Sequence, residues 1–245
     1  MKKHIPNIFT LGNLFFGLIA VVNAVEGHLM IAGFFVLMGI FLDFFDGFFA
    51  RMLKVPSELG KQLDSLADVV TSGVAPGIIL MKLLEQTIVK EEGIRFDLHL
   101  FGYEFEWFTL VGLLFTLAAA YRLANFNIDE RQTSSFIGLP TPAATLVVIS
   151  LPFILEHSSA EIVESIILTK WFLIGTTLLL SVLMNANIPL FSLKFKDYSF
   201  KNNVIKYVFL MTTIVLLIVL QFIAIPLVIL IYVLLSLVEN RKNNA

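Results

Sequence analysis

Long apolar stretches separated by short polar breaks constrain this chain more than any other feature. Each is close to the ~20 residues that an α-helix needs to cross a bilayer. Hydrophobic residues make up 58% of the sequence and charged residues 15%, against about 25% charged in soluble domains, which excludes an ordinary soluble protein. We therefore predict an all-α fold, a polytopic integral membrane bundle of about eight transmembrane helices. The predicted spans are residues 8–25, 29–50, 64–85, 105–125, 140–156, 165–185, 204–222 and 224–239.

The sequence predicts a single membrane domain over residues 1–245. No linker rich in Gly, Ser or Pro and no repeat divides it, and the absence of cysteine excludes disulfides and thiolate metal sites. The basic N-terminal residues resemble the start of a signal sequence, but the apolar run continues to about Val25 without a small-residue cleavage site, so we expect a retained first helix. Only Gln221 to Pro226 separate the last two spans, which predicts a tight helical hairpin over 204–239.

Basic residues are distributed unevenly between the two predicted faces. With eight spans and cytoplasmic termini, the cytoplasmic face receives 13 of the 17 Lys and Arg residues, as the positive-inside rule requires. The opposite face receives four, beside acid-rich loops that include Glu91 and Glu92. We therefore expect a multi-pass protein of the cell membrane with both termini cytoplasmic. The 13 residues are Lys2, Lys3, Arg51, Lys54, Lys61, Arg122, Arg131, Lys194, Lys196, Lys201, Lys206, Arg241 and Lys242, and the other four are Lys82, Lys90, Arg95 and Lys170.

Four aspartates lie where the second and third predicted spans meet the cytoplasmic side. Asp43 and Asp46 are three residues apart, and Asp64 and Asp68 are four apart, so each pair shares one helix face. A carboxylate inside a membrane helix costs about 2.5–3.5 kcal/mol on insertion scales, which makes such residues functional candidates. Solvated boundary residues paired with Lys or Arg are the alternative.

Two adjacent helices could direct all four carboxylates into one pocket, where they would repel one another without bound cations. Oxygen ligands of this kind suit Mg²⁺ or Mn²⁺, and two such ions can clamp the oxygens of a phosphoryl group during displacement. Gly47 and Ala50 leave space on the same face, Gly60 allows close backbone approach, and Arg51 offers a fixed cation for phosphate. The pattern therefore predicts phosphoryl-transfer chemistry with two divalent ions.

These residues resemble the signature of the CDP-alcohol phosphotransferases, D-x2-D-G-x2-A-R-x8-G-x3-D-x3-D, at all eight defined positions between residues 43 and 68. The resemblance implies a six-helix catalytic core over about 6–185, an active site open to the cytoplasm, and a homodimer. Enzymes of this family displace CMP from a CDP-linked donor by the hydroxyl of an acceptor alcohol. The resemblance implies no nucleic-acid partner.

The resemblance also assigns roles by position. Asp43, Asp46, Asp64 and Asp68 would hold the metal, and Asp68 would be the general base that takes the acceptor's proton. Six residues would bind the nucleotide donor, and Asn13 shares the helical spacing of the first two. The six are Asn7, Thr10, Gly47, Ala50, Arg51 and Gly60.

Segments 6–13, 121–127 and 136–142 are similar to one branch of the family, the bacterial and archaeal phosphatidylserine synthases. That branch implies CDP-diacylglycerol and L-serine as substrates, in contact with membrane lipids. Arg122, Asn125 and Pro140 become candidates for binding the acceptor or a phosphate, with Arg122 meeting the serine carboxylate or the lipid phosphate. Asn125 departs from relatives that carry Arg or Lys there.

Two alternatives remain open from the sequence. Another family member would use glycerol 3-phosphate, an inositol phosphate or choline as acceptor, and the phosphorylated acceptors would require more basic residues than Arg122 and Arg131 near the metal site. A cation transporter could use the four Asp as its ion site, although transporter sites usually lie near the bilayer midplane.

Overall fold

The fold is a bundle of α-helices. In this computed structural model, the chain is described at residues 4–90, 97–100, 103–128, 136–158, 160–190 and 203–243. A π-helix, Val69–Val74, joins α3 to α4, and 3-10 helices at Trp107–Leu113 and Gln221–Ile223 precede α5 and α10. Over these residues the α-helices are α1 Ile5–Val25, α2 Leu29–Met52, α3 Glu58–Asp68, α4 Ala75–Lys90, α5 Leu114–Ile128, α6 Thr141–His157, α7 Glu161–Ile167, α8 Lys170–Asn185, α9 Val204–Leu220 and α10 Ala224–Asn243.

The helices are long and apolar enough for a polytopic membrane protein, which confirms the predicted fold class. Among the described residues, five helical stretches could span a bilayer by length and composition, and a sixth if α7 and α8 form one bent span. The five are Ile5–Val25, Leu29–Met52, Glu58–Thr87, Trp107–Ile128 and Val204–Glu239. Thr141–His157 is a shorter apolar helix.

The last of these stretches reverses direction. Gln221 has φ +48°, and the rings of Phe209 and Tyr232 lie 5.6 Å apart. In one continuous helix, 23 residues of separation would put them about 35 Å apart at 1.5 Å per residue. The helices α9 and α10 are therefore an antiparallel pair.

Two other spans differ from the sequence-based bounds. The third helical stretch begins at Glu58, six residues before the predicted 64, so the Gly60 to Asp68 segment lies within a helix rather than leading into one. The predicted span 165–185 is interrupted, because α7 and α8 meet at an angle of 61°. Polar residues stand at the break: Thr169 occupies the N-cap position of α8, and its hydroxyl donates back to the Ser165 carbonyl of α7.

Short contacts mark the two ends of the bundle. At one end, β3 (Phe136–Ile137) pairs antiparallel with β4 (Pro189–Leu190). At the other end, Phe222 stacks on Phe153, with ring centroids 5.1 Å apart. A further antiparallel pair, β1 (Asp97–Leu100) and β2 (Tyr103–Glu106), precedes the 3-10 helix of α5.

Small residues let α1 approach α2, and α2 approach the π-helix, closely. A Cβ on Gly39 would lie 2.6 Å from Thr71 Cγ2, and a Cβ on Gly12 would lie 2.6 Å from Leu42. Close packing through small residues is typical of helices in membranes. The apolar core around this contact includes Ile79, Leu80, Leu83, Leu84, Phe115 and Ile149, all at most 1% exposed.

Several of the charged residues whose distribution predicts the membrane topology lie outside the described residues. They are Lys2, Lys3, Glu91, Glu92, Arg95, Arg131, Lys194, Lys196 and Lys201.

Candidate active site

Three of the four aspartates meet where α2 ends and α3 approaches it. Asp43, Asp64 and Asp68 each offer a carboxylate oxygen, and these oxygens all lie within 4.8 Å of one another. Their spacing explains the meeting: Asp64 and Asp68 are one helical turn apart on α3, and Asp43 lies on the facing side of the antiparallel α2.

Asp46 lies beside this group, one turn after Asp43. It is 8% exposed, and the Thr10 hydroxyl donates a hydrogen bond of 2.6 Å to its Oδ2. This bond connects α1 to α2. The Asp46 carboxylate is therefore oriented by Thr10.

A pocket of about 200 Å³ opens next to Asp46 and Asp64. Seven of its lining residues were predicted to bind the metal or the donor nucleotide, four others come from the α1 start and the α2–α3 connection, and the last is Lys61. The lining residues are Pro6, Asn7, Thr10, Asp46, Gly47, Ala50, Val55, Pro56, Ser57, Gly60, Lys61 and Asp64.

The glycines of the motif keep this pocket open. A Cβ on Gly60 would lie 3.0 Å from Ser57 Oγ and 3.3 Å from Asn7 Oδ1. The Ser57 side chain also caps α3 by accepting a hydrogen bond from the Gly60 amide at 3.0 Å. Gly60 thus allows the α3 N-terminus and α1 to approach each other.

Arg51 is exposed and lies outside the residues that line the pocket. Its guanidinium lies over Gly47, where a Cβ would be 3.5 Å from Nη1, and it interacts electrostatically with Asp46. Arg51 therefore does not contact the pocket directly, but its long exposed side chain can turn towards a ligand.

Asn13 lies in the interior of the site. It is fully buried, and its amide Nδ2 donates to Asp68 Oδ1 at 3.2 Å and to Asp43 Oδ1 at 3.5 Å. The Thr71 hydroxyl donates to the Asn13 carbonyl at 3.1 Å. The sequence predicts that Asn13 could bond the nucleotide, whereas its amide here contacts the carboxylates.

The π-helix begins one residue after Asp68 and was not predicted. Its carbonyl groups accept from two threonines of other helices: Thr145 donates to Ser72 at 2.8 Å, and Thr116 donates to Gly73 at 2.9 Å. Such π-turns are common at functional sites. No sequence period signals it, because the bonds that stabilise it come from distant residues.

Arg122 approaches the acidic group from α5. It is 7% exposed, its Nη1 donates to the Thr141 hydroxyl at 3.1 Å, and its Nε has no partner. Its charge interacts with Asp68. Pro140 immediately precedes α6 beside Thr141, while Asn125 is half-buried one turn along α5.

A hydrogen-bond network beside the pocket was also missed. Lys61 Nζ donates to the Asn127 carbonyl at 2.7 Å, and the Asn127 amide donates to Ser65 Oγ at 2.8 Å. It connects α3 to the end of α5. Asn127 is the last residue of segment 121–127. The resemblance of that segment to the family was the only sequence feature that pointed to Asn127.

The acidic group fits a hard divalent cation. Mg²⁺ binds oxygen at 2.0–2.1 Å, so oxygens sharing one ion lie about 3 to 4 Å apart, which small side-chain rotations reach from the observed spacing. The donors are all carboxylate oxygens, the ligand type that Mg²⁺ and Mn²⁺ prefer. The cluster could therefore hold a metal ion.

Comparison with known proteins agrees with the fold and the site. Residues 3–183 match the family model described as CDP-alcohol phosphatidyltransferase. The chain belongs to this family of membrane transferases, which confirms the resemblance drawn from residues 43–68.

Similar relatives carry two names. The chain is 35% identical to a CDP-diacylglycerol–serine O-phosphatidyltransferase of Bacillus subtilis over 151 residues, 62% of this chain and 76% of the relative. It is 32% identical to the Helicobacter pylori protein of that name over 208 residues, 84% of this chain and 79% of the relative. An archaetidylserine synthase of Methanothermobacter thermautotrophicus is 28% identical over 149 residues, 60% of this chain and 56% of the relative.

Proposed function

We propose that this protein transfers the phosphatidyl group of CDP-diacylglycerol to the hydroxyl of L-serine and releases CMP. The observation that carries the proposal is the convergence of Asp43, Asp64 and Asp68 beside the pocket lined by Asp46, Gly47 and Gly60. The names of the relatives support serine as the acceptor.

The donor spans two environments. Its acyl chains remain in the bilayer, and its cytidine and diphosphate enter the pocket between α1, α2 and α3. Gly47, Ala50 and Gly60 provide room for the diphosphate, and Asn7 and Thr10 offer polar groups to the nucleotide. Arg51 turns from the surface towards a phosphate.

The four aspartates would hold two divalent ions, Mg²⁺ or Mn²⁺. Bound there, such ions would supply positive charge against the diphosphate and the developing transition state. The carboxylates of Asp43, Asp64 and Asp68 come from facing helices, and Asp46 is oriented by Thr10.

Asp68 acts as the general base. It accepts the proton of the serine hydroxyl, whose oxygen attacks the phosphorus bonded to the lipid. The bond between this phosphorus and the bridging oxygen breaks, and CMP leaves with that oxygen. Asn13 and Arg122 orient Asp68 for the step, and positioning supplies much of the rate.

The acceptor binds between α3, α5 and α6. Arg122 is the cation on that side, and its unpartnered Nε is available to the serine carboxylate. Pro140 fixes the start of α6 beside Thr141, and Asn125 lines the approach with a neutral side chain.

The organisation of the chain follows the same proposal. Residues 6–185 form the catalytic core and 204–239 an added hairpin within one membrane domain, supported by the family match over 3–183. The protein lies in the cell membrane with both termini and the site on the cytoplasmic side, and the resemblance supports a homodimer.

An acceptor panel tests the proposal. The purified protein in detergent is given CDP-diacylglycerol and Mn²⁺ with serine, glycerol 3-phosphate, inositol phosphate or choline separately, and CMP is measured. We expect release with serine alone. Release with another alcohol would contradict the serine assignment, and no release with any would contradict the transferase and favour the transporter.

A further inference from the structure

Asn13 is the only polar side chain of α1 that contacts two aspartates among the described residues. It is 0% exposed, and its Nδ2 bonds Asp68 on α3 and Asp43 on α2. A carboxylate can only accept hydrogen bonds, so the amide must face both with its NH₂ group. One neutral side chain therefore bridges two anionic groups from two helices.

The surroundings of Asn13 leave it little freedom. Its backbone carbonyl accepts a hydrogen bond from the Thr71 hydroxyl in the π-helix. Its Oδ1 is buried without a partner, and a Cβ on Gly39 would lie 2.8 Å from that oxygen. An unpartnered buried carbonyl oxygen costs free energy, so the other bonds of the side chain must compensate for this orientation.

We propose that Asn13 is a positioning residue that sets the separation of Asp43 and Asp68 for metal binding. The inference rests on the proposed function, because it takes the acidic group as a metal site. Asp43 and Asp68 repel each other when no cation is bound, and the bridging amide offsets that repulsion while keeping both carboxylates turned inward. The binding of a cation then requires less reorganisation of the site.

The expected effect is on metal affinity. Residues that orient metal ligands through hydrogen bonds typically contribute about 10- to 100-fold to metal affinity. The loss of the Asn13 amide should therefore shift metal binding by that factor. At saturating metal the ligands are held by the ion itself, so most of kcat should return.

Two variants of the full-length protein test this in detergent. Asn13→Ala removes the amide, and Asn13→Leu removes it while keeping the branched shape, so a cavity cannot be the cause. Asn23→Ala is the matched control, since Asn23 lies on the same helix and its amide donates only to the Ile19 carbonyl. Mn²⁺ binding is followed by the EPR signal of free Mn²⁺, without substrates, and thermal unfolding is measured in parallel.

We expect both Asn13 variants to bind Mn²⁺ about 10- to 100-fold more weakly than the unaltered protein and Asn23→Ala to bind it equally well. Activity of Asn13→Leu should require correspondingly more Mn²⁺ and recover at saturation. Unchanged Mn²⁺ affinity in Asn13→Leu, or a kcat that stays low at every Mn²⁺ concentration, would overturn the role of Asn13 and leave the proposed function standing. No Mn²⁺ binding by the unaltered protein would overturn the metal site as well.

Discussion

At the scale of single residues, Asp68 is in contact with both a neutral donor and other carboxylates and is close to a cation. It accepts from Asn13 and interacts with the charge of Arg122, while Asp43 and Asp64 lie beside it. These contacts orient one carboxylate towards both the acidic group and the side from which Arg122 approaches. That arrangement suits a group that takes a proton next to a bound phosphate.

Replacing Asp68 by Asn should lower CMP release by about 10²- to 10⁴-fold, the usual contribution of a general base. CDP-diacylglycerol binding should be largely preserved, because the pocket lining does not include Asp68. Turnover and donor binding are measured separately. Glu58→Gln, the same exchange at an exposed position of α3, is the control, and full activity of Asp68→Asn would exclude the role.

A substitution at Gly60 should impair binding of the donor. An added Cβ would press on Ser57 and Asn7 at the pocket wall, so Gly60→Ala should raise the KM for the donor several-fold, equivalent to about 1 kcal/mol. Gly175→Ala adds a Cβ on α8 where nothing lies within 4 Å, and its KM should not change. Equal KM values in steady-state assays of both variants would show that the Gly60 contact does not shape the donor site.

At the scale of elements, helical spacing was enough to predict which aspartates share a face, because Asp64 and Asp68 lie on one regular helix. The π-helix after Asp68 could not be predicted. It depends on hydroxyl groups of Thr116 and Thr145, which lie 43 and 73 residues from the carbonyls they bond. The bend between α7 and α8 was missed for another reason: apolar residues continue on both sides of it, so the hydrophobic pattern does not mark the break.

The π-helix gives an element-scale prediction. Thr145→Val keeps the shape of the side chain but leaves the Ser72 carbonyl without its partner, which should lower stability by about 1 kcal/mol and reduce CMP release several-fold. The activity loss follows because the π-helix sets the direction in which α3 presents Asp68. Thermal unfolding and turnover are compared.

Thr177→Val is the matched control for that experiment. Thr177 is also fully buried, but its hydroxyl donates to Leu173 in its own helix, α8. Its loss should affect stability alone. If Thr145→Val kept full activity at a reduced unfolding temperature, the π-helix would be a packing feature without influence on the site.

At the scale of the whole molecule, the alternation of apolar stretches was sufficient to predict a polytopic bundle. Contacts at each end agree with the predicted alternation: β3 pairs with β4 at one end, and Phe153 stacks on Phe222 at the other. The strand pairs themselves were not predicted, because strands of two to four residues are too short to carry a detectable period. The uneven distribution of Lys and Arg between the two faces predicts which side of the membrane each end faces.

That orientation can be measured directly, because the chain has no cysteine. Glu26→Cys lies in the exposed turn between α1 and α2, and Glu58→Cys lies at the exposed start of α3 near the site. A membrane-impermeant maleimide should label Glu26→Cys in intact cells and Glu58→Cys only after permeabilisation. The reverse pattern would invert the topology.

The central claim is that the carboxylate site transfers the phosphatidyl group to the serine hydroxyl. The most direct test supplies L-serine labelled with ¹⁸O in its side chain, CDP-diacylglycerol and Mn²⁺, and analyses both products by mass spectrometry. We predict phosphatidylserine that carries the label and CMP that does not. Label in CMP, or no labelled lipid while CMP is released, would contradict the account.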